Sequence, residues 1–266
     1  MLAIVTYLCE ADKSNVVMNK KANDIRDAFK GITTITSKEL VAYFRETDIN
    51  ATDVSVRQRI SRYKRMGFLV SIRQGVYAIV DKPLYKPESD PFIQKLSKNF
   101  SAAYPEINYC IWSSAWLYNF MVHQPAHYFY LFETEQDMVE SAFNLLKDNG
   151  LNAWLNPDEQ TIQLYVMGQK NPVVVKPIIS RSPVFKSQKS NLPMLEKILV
   201  DAYVEKKIFY FLQGQELSNI FNFAFGKYSI AWSRLLSYAR RRGVGQEIGQ
   251  YIKKNIKPQN AAFLND

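Results

Sequence analysis

Asp53-Val54-Ser55-Val56-Arg57-Gln58-Arg59-Ile60-Ser61-Arg62-Tyr63-Lys64-Arg65-Met66-Gly67 is the stretch whose reading decides the fold of the amino-terminal part. Val56, Ile60 and Tyr63 recur at spacings of four and three, which puts them on one face of a helix over Asp53 to Met66. Ser55, Gln58, Arg59, Arg62 and Arg65 fall opposite, and Arg57 and Lys64 widen that basic surface on its flanks. Gly67 supplies the left-handed stop. A helix with one apolar face and one Arg/Gln face has the chemistry of a recognition helix. Early Arg and Gln residues reach base edges, and later cations meet phosphates.

The flanking sequence completes a motif. Upstream, Thr36 with Glu39 three residues later is a capping box opening a helix whose apolar stripe is Leu40, Val41 and Phe44, with Glu46 to Asn50 as a polar connector. Before it, Asn23 to Lys30 has Ala22, Ile25 and Phe29 on one face of an earlier helix, stopped at Gly31. Downstream, Phe68 to Ile72 and Val76 to Val80 are β-prone runs around an Arg73-Gln74-Gly75 turn, a hairpin signal. A hairpin directly after a basic helix predicts a winged helix-turn-helix over residues 1–82 that binds double-stranded DNA. Arg73 and Gln74 then sit at the wing tip. A solvated basic helix, or a winged helix that binds protein, is the plainer alternative.

Beyond this the pattern changes. Asp81 to Pro91 holds three prolines and several charges and reads as a linker. Residues 92–180 alternate helices and strands: a helix over Phe92 to Tyr104, strands at Tyr109 to Trp112, Tyr128 to Phe132, Leu151 to Leu155 and Pro172 to Ile178. Among them fall a Ser113- or Ser114-capped helix through Phe120 and an amphipathic helix over Glu135 to Asn149, with Met138, Phe143 and Leu146 inward. This alternation predicts an α/β domain. Arg181 to Asn191 is a second connector, and residues 190–266 form a helical carboxy-terminal segment packed on that domain. Pro193 suits the first turn of its first helix, and a last strong helix, Ile230 to Arg242, buries Trp232, Leu235, Leu236 and Ala239. The fold class is therefore α+β: a winged helix-turn-helix, an α/β domain, then helices.

The net charge is +9, unevenly spread. Residues 1–82 carry 14 Lys and Arg against 9 Asp and Glu, residues 83–180 carry 6 against 10, and residues 181–266 carry 14 against 6. Basic ends favour a polyanion, because each cation that meets a phosphate releases condensed counterions. Arg240-Arg241-Arg242 either caps a helix or makes a second polyanion contact. No apolar run is long enough to span a bilayer, the start at Met1 to Cys9 lacks the basic flank of a signal peptide, and two distant cysteines give no disulfide framework. A soluble cytoplasmic protein without cofactor or metal is expected.

His123 and His127 have zinc-helix spacing, but Pro125 interrupts the helix and no glutamate base adjoins them. Glu106, Glu133, Asp158 and Lys176, near strand ends, are the residue types of a metal-dependent nuclease, though without its tight acid-x-Lys spacing. The aromatic residues fall mostly on inward faces.

Pro193-x-Leu-Glu-Lys-x-Leu-Val-Asp201, with Arg73-Gln74-Gly75-Val76-Tyr77, Ile111-Trp112-Ser113 and Val173-Val174-Val175-Lys176-Pro177, resembles the AbiEi family of antitoxins over residues 35 to 242, by order of elements. That resemblance implies a transcriptional autorepressor of a bacterial type IV toxin–antitoxin, phage-defence operon. Its winged helix binds repeats in its own promoter, and its carboxy-terminal part counters a nucleotidyltransferase-like toxin without a demonstrated stable complex. It assigns no antitoxin-site residues, and Met1 to Met18 lies outside it. One winged helix per chain implies a monomer, or a dimer formed on DNA. A nucleic-acid-processing nuclease targeted by the winged helix, and an interaction scaffold, stay open as other classes.

Overall fold

The computed structural model describes residues 27–29, 32, 34–80, 82–186 and 189–256. The expected helix stripe at Ala22 and Ile25, its stop at Gly31, and Met1 to Met18 lie outside the described residues. The fold is mixed α+β. It divides into two units, one made of Met1–Leu84, Lys227–Arg234 and Pro258–Asp266, the other of Tyr85–Gly226 and Leu235–Lys257.

In the first unit, strand β1 (Thr34–Thr36) runs into helix α1 (Ser37–Thr47). The capping box is present: Thr36 Oγ1 accepts from the Glu39 amide at 3.2 Å, and the Thr36 amide donates to Glu39 Oε2 at 2.7 Å. The Thr36 amide, and then the Thr36 hydroxyl donating to the same Oε2 at 2.7 Å, hold the Glu39 carboxyl below its ordinary range. Helix α1 continues through Glu46 and Thr47, so the polar connector is shorter than the sequence implies.

Helix α2 (Asp53–Arg65) follows, with Thr52 as its N-cap. Leu40 and Phe44 of α1 pack with Val56, Ile60 and Tyr63 of α2, and the Phe44 and Tyr63 rings stack with centroids 5.9 Å apart. Each such buried side chain is worth about 1.5–3 kcal/mol, enough to hold a helix whose outer face is polar.

Strands β2 (Leu69–Arg73) and β3 (Val76–Ile79) form the hairpin, turning at Gln74–Gly75. Gly75 adopts φ +74°, and its carbonyl accepts the Ser37 amide at 2.7 Å, tying the turn to the start of α1. β1 pairs antiparallel with β3, giving a sheet ordered β1-β3-β2. Sequence periodicity gave no sign of β1, because three residues ending in an N-cap carry no alternation to detect.

The second unit opens with helix α3 (Pro91–Ala103), capped by Asp90. Its sheet has the order β4-β5-β7-β6, formed by β4 (Tyr109–Ser113), β5 (Tyr130–Thr134), β6 (Ala153–Leu155) and β7 (Val173–Pro177). β4 is antiparallel to β5, while β5, β7 and β6 are mutually parallel. A 3-10 turn (Ser114–Phe120) follows β4. Helix α4 (Val139–Asp148) buries Val139, Ala142 and Leu146, with Phe143 packed beside them.

Because side chains alternate along a strand, Tyr109, Ile111, Tyr130, Phe132, Val173 and Val175 meet α3 and α4 in one apolar core. Cys110, Glu133 and Lys176, aligned across three strands, belong to the other face.

The carboxy-terminal part departs from the sequence expectation at two points. Arg181 to Asn191 is not a plain connector but contains β8 (Val184–Lys186), which pairs with β9 (Asn191–Pro193). Pro193 therefore ends a strand, and helix α5 (Leu195–Val204) begins two residues later. α5 is buried from Leu195 to Ala202 on every side, including Glu196, Lys197 and Asp201. Helices α6 (Gln215–Lys227), α7 (Trp232–Arg241) and α8 (Gly245–Asn255) complete the chain. α7 buries Leu235, Tyr238 and Ala239, with Trp232 and Leu236 half-buried. Among the described residues no helix is long and apolar enough to cross a membrane.

Candidate nucleic-acid interface

The outer surface of α2 is set by what its inner face must bury. With Val56, Ile60 and Tyr63 inward, a rotation of 100° per residue turns Val54, Arg57, Gln58, Ser61, Lys64 and Arg65 outward, and all six are exposed. The sequence-derived face is therefore split. Gln58 and Arg65, with the flanking Arg57 and Lys64, lie on the exposed arc, whereas Ser55, Arg59 and Arg62 are half-buried on its shoulder.

Each shoulder residue with a described partner has a local task. Arg59 forms an ion pair with Asp48 and lies over the Phe44 ring, 5.6 Å from its centroid. Its guanidinium binds α2 to the end of α1. Ser55 Oγ donates to the Thr52 carbonyl at 2.8 Å. Arg45 pairs with Asp53 at 2.6 Å, so the one carboxylate in the first turn of α2 is already neutralised.

Lys64 sits 5.5 Å from the centroid of the Tyr77 ring on β3, a cation–π contact that leans it toward the hairpin. Gln74 is exposed at the turn, and Arg73 lies in the last position of β2 rather than in the turn; of Arg73 only the backbone is described. Among the described residues Arg57, Lys64 and Arg65 have no carboxylate partner, so their charge is available to a polyanion. Val54 and Ser61 lie outside the set read from the sequence, although both are exposed on this arc.

The far end of α2 is fastened within the same unit. Gly67 has φ +77°, and a Cβ placed there would lie 2.8 Å from Ser229 Oγ. The Ser229 hydroxyl donates to the Gly67 carbonyl at 2.6 Å, its amide donates to the Pro83 carbonyl at 2.9 Å, and the Arg234 guanidinium donates to the Arg65 carbonyl. Carbonyls at a helix end lack intrahelical donors, and the Ser229 hydroxyl and the Arg234 guanidinium supply two of them at the end of α2.

The second unit holds charge of the opposite character. Lys197 Nζ lies 2.6 Å from Glu133 Oε2 and 2.5 Å from Asp201 Oδ2, fully buried. Tyr238 donates to Asp201 Oδ1 at 2.8 Å, and the Trp112 indole donates to Glu133 Oε2 at 3.3 Å. Arg242 reaches Asp201 at 3.2 Å and Glu205 at 2.5 Å, and Lys176 pairs with Glu205.

Three acids and three bases thus cancel on one face of the sheet. Burial alone would lower the Lys197 ammonium, yet Asp201 and Glu133 hold it well above its ordinary value. Burial alone would raise Asp201, but Lys197 and Arg242 outweigh it and hold the carboxyl low. Lys197 and Asp201, four apart in the Pro193 to Asp201 stretch, are the centre of this cluster.

The Arg240-Arg241-Arg242 run is divided accordingly. Arg242, grouped with its neighbours for a polyanion contact, pairs with Asp201 and Glu205. Arg240 and Arg241 are exposed, and Arg241 donates to the Arg181 carbonyl at 3.2 Å. Glu133 and Lys176 of the nuclease set are neighbours in register, but each is taken by a separate buried ion pair. Asp158 caps a helical turn by accepting from the Thr161 amide at 2.7 Å, and Glu106 is exposed. His123 Nδ1 lies 2.8 Å from Glu216. Among the described residues no group of three or more His, Cys, Asp or Glu side chains is placed to hold a metal ion.

Residues 55–258 match the sequence pattern of a family of unknown function, DUF6577. No curated protein matches the sequence.

Proposed function

We propose that this chain, which belongs to the DUF6577 family, binds double-stranded DNA through a winged helix-turn-helix in which α2 enters the major groove. The observation that carries this reading is the exposed arc of α2, which offers Arg57, Gln58, Ser61, Lys64 and Arg65 with no described carboxylate among them. The element order β1-α1-α2-β2-β3 and the sheet order β1-β3-β2 support it, since the hairpin then stands beside the helix as a wing. Lys64, leaning toward Tyr77, and Gln74 at the turn extend the donor surface from helix to wing.

Taken with the resemblance to AbiEi antitoxins, the reading becomes a promoter-binding autorepressor that counters a nucleotidyltransferase-like toxin. Its partners are then its own promoter repeats and, functionally, that toxin. Fluorescence anisotropy of the full chain against its own upstream duplex tests the DNA step. Binding whose log affinity falls linearly with log salt is expected, and Arg57→Ala, Lys64→Ala and Arg65→Ala should each reduce the slope by about 0.9. Absence of binding, or affinity indifferent to salt, breaks the reading. Growth rescue on co-expression with an adjacent nucleotidyltransferase-like gene tests the antitoxin step separately.

A further inference from the structure

Val54 is the apolar member of the α2 arc, 63% exposed in its first turn. A β-branched residue there adds little to helix stability, and no described group covers it. Positions 54, 57, 58 and 61 form one stripe along the helix, because residues three, four and seven apart share a face. The stripe therefore runs from a bare isopropyl group to Arg57, Gln58 and Ser61. Its polar members match base edges: Gln58 fits the N6/N7 edge of adenine, and Arg57 fits the O6/N7 edge of guanine. Valine has neither donor nor acceptor. The major-groove feature it complements is the 5-methyl group of thymine, which guanine, adenine and cytosine lack.

We infer that Val54 is a specificity-determining residue that packs on a thymine methyl next to the purine read by Gln58 or Arg57. The inference rests on the DNA-binding reading above. Removing one methyl contact from water corresponds to about a fourfold change in affinity.

The test uses the full chain and random-sequence duplexes of about three helical turns, prepared once with thymine and once with deoxyuridine, which pairs identically but lacks the methyl. The wild-type chain should enrich a motif with a fixed thymine and lose about fourfold in affinity when that base alone becomes deoxyuridine. Val54→Ala, checked for an unchanged melting temperature, should bind both forms equally, while Gln58→Ala should keep the discrimination. Equal wild-type affinity for the two forms, or discrimination that survives Val54→Ala, overturns the role of Val54 and leaves DNA binding standing. Enrichment from neither preparation overturns the DNA-binding reading and this inference with it.

Discussion

Two places in this molecule gather lysine and arginine, and they do so under opposite physical rules. On α2, Arg57, Lys64 and Arg65 face solvent without described carboxylates. Beside the second unit's sheet, Lys176, Lys197 and Arg242 are matched one for one by Glu133, Asp201 and Glu205. Exposed charges are screened by salt and add little to folding, so they are free to serve a partner. Buried charges contribute only while every partner is present, because a single survivor is left desolvated. On the proposed reading the same residue types serve binding in one unit and architecture in the other, and partner count separates them.

The largest expected effect breaks the closed cluster. Lys197→Met leaves Glu133 and Asp201 buried without their ammonium, and urea unfolding should show a loss of about 3–5 kcal/mol. A loss below about 1 kcal/mol, the range of an exposed pair, would mean the cluster is no more than a surface-like pairing.

The cluster also fixes a pH response. Asp201 and Glu205 are held below their ordinary values of 3.8 and 4.5, outweighing burial, by Lys197 and Arg242 for the first and by Lys176 and Arg242 for the second. Their stabilisation is present above those values and should vanish as pH falls below them. Lys197 is raised, so its share persists up to its ordinary 10.5 and is lost only as pH climbs beyond. A chain that melts at the same temperature at pH 3 and pH 7, values on either side of that carboxylate range, would contradict the pairing.

Less drastic is Gly67→Ala, which places a Cβ against Ser229 Oγ at a backbone angle of φ +77°. It should destabilise by about 1–3 kcal/mol in thermal unfolding.

How legible these two regions were in the sequence differs for a physical reason. The buried face of α2, the Thr36–Glu39 box and the turn at Gly75 are local patterns, and each could be read from residues a few positions apart. The outer face was read one shoulder out of register, since Arg59 looks identical to Arg57 until Asp48 and Phe44 are known to hold it. The closed cluster was legible only at its Lys197–Asp201 step. Arg242 meets Asp201 across 41 positions and Lys197 meets Glu133 across 64, distances at which periodicity says nothing. Lys197 and Asp201 could have been found as an i,i+4 pair on a helix otherwise apolar all round, where charge is tolerated only when paired. β8 and β9 are three residues each, too short for alternation to show within a stretch that is otherwise polar.

The sharpest use of the comparison lies in its smallest effects, at two arginines of α2 two positions apart. Arg57 is exposed without a described carboxylate, while Arg59, with its side chain 31% exposed, pairs with Asp48 and covers Phe44. If partner count decides the role, Arg57→Ala should leave urea stability unchanged and lower the salt slope of DNA binding by about 0.9. Arg59→Ala should do the reverse, removing at most about 1 kcal/mol of stability, because the pair is partly solvated, with the slope unchanged. The two substitutions remove the same charge from the same helix, so net charge cannot account for a difference between them. If both lower the slope equally, Arg59 leaves Asp48 on binding, and the boundary between reading face and shoulder moves to include it.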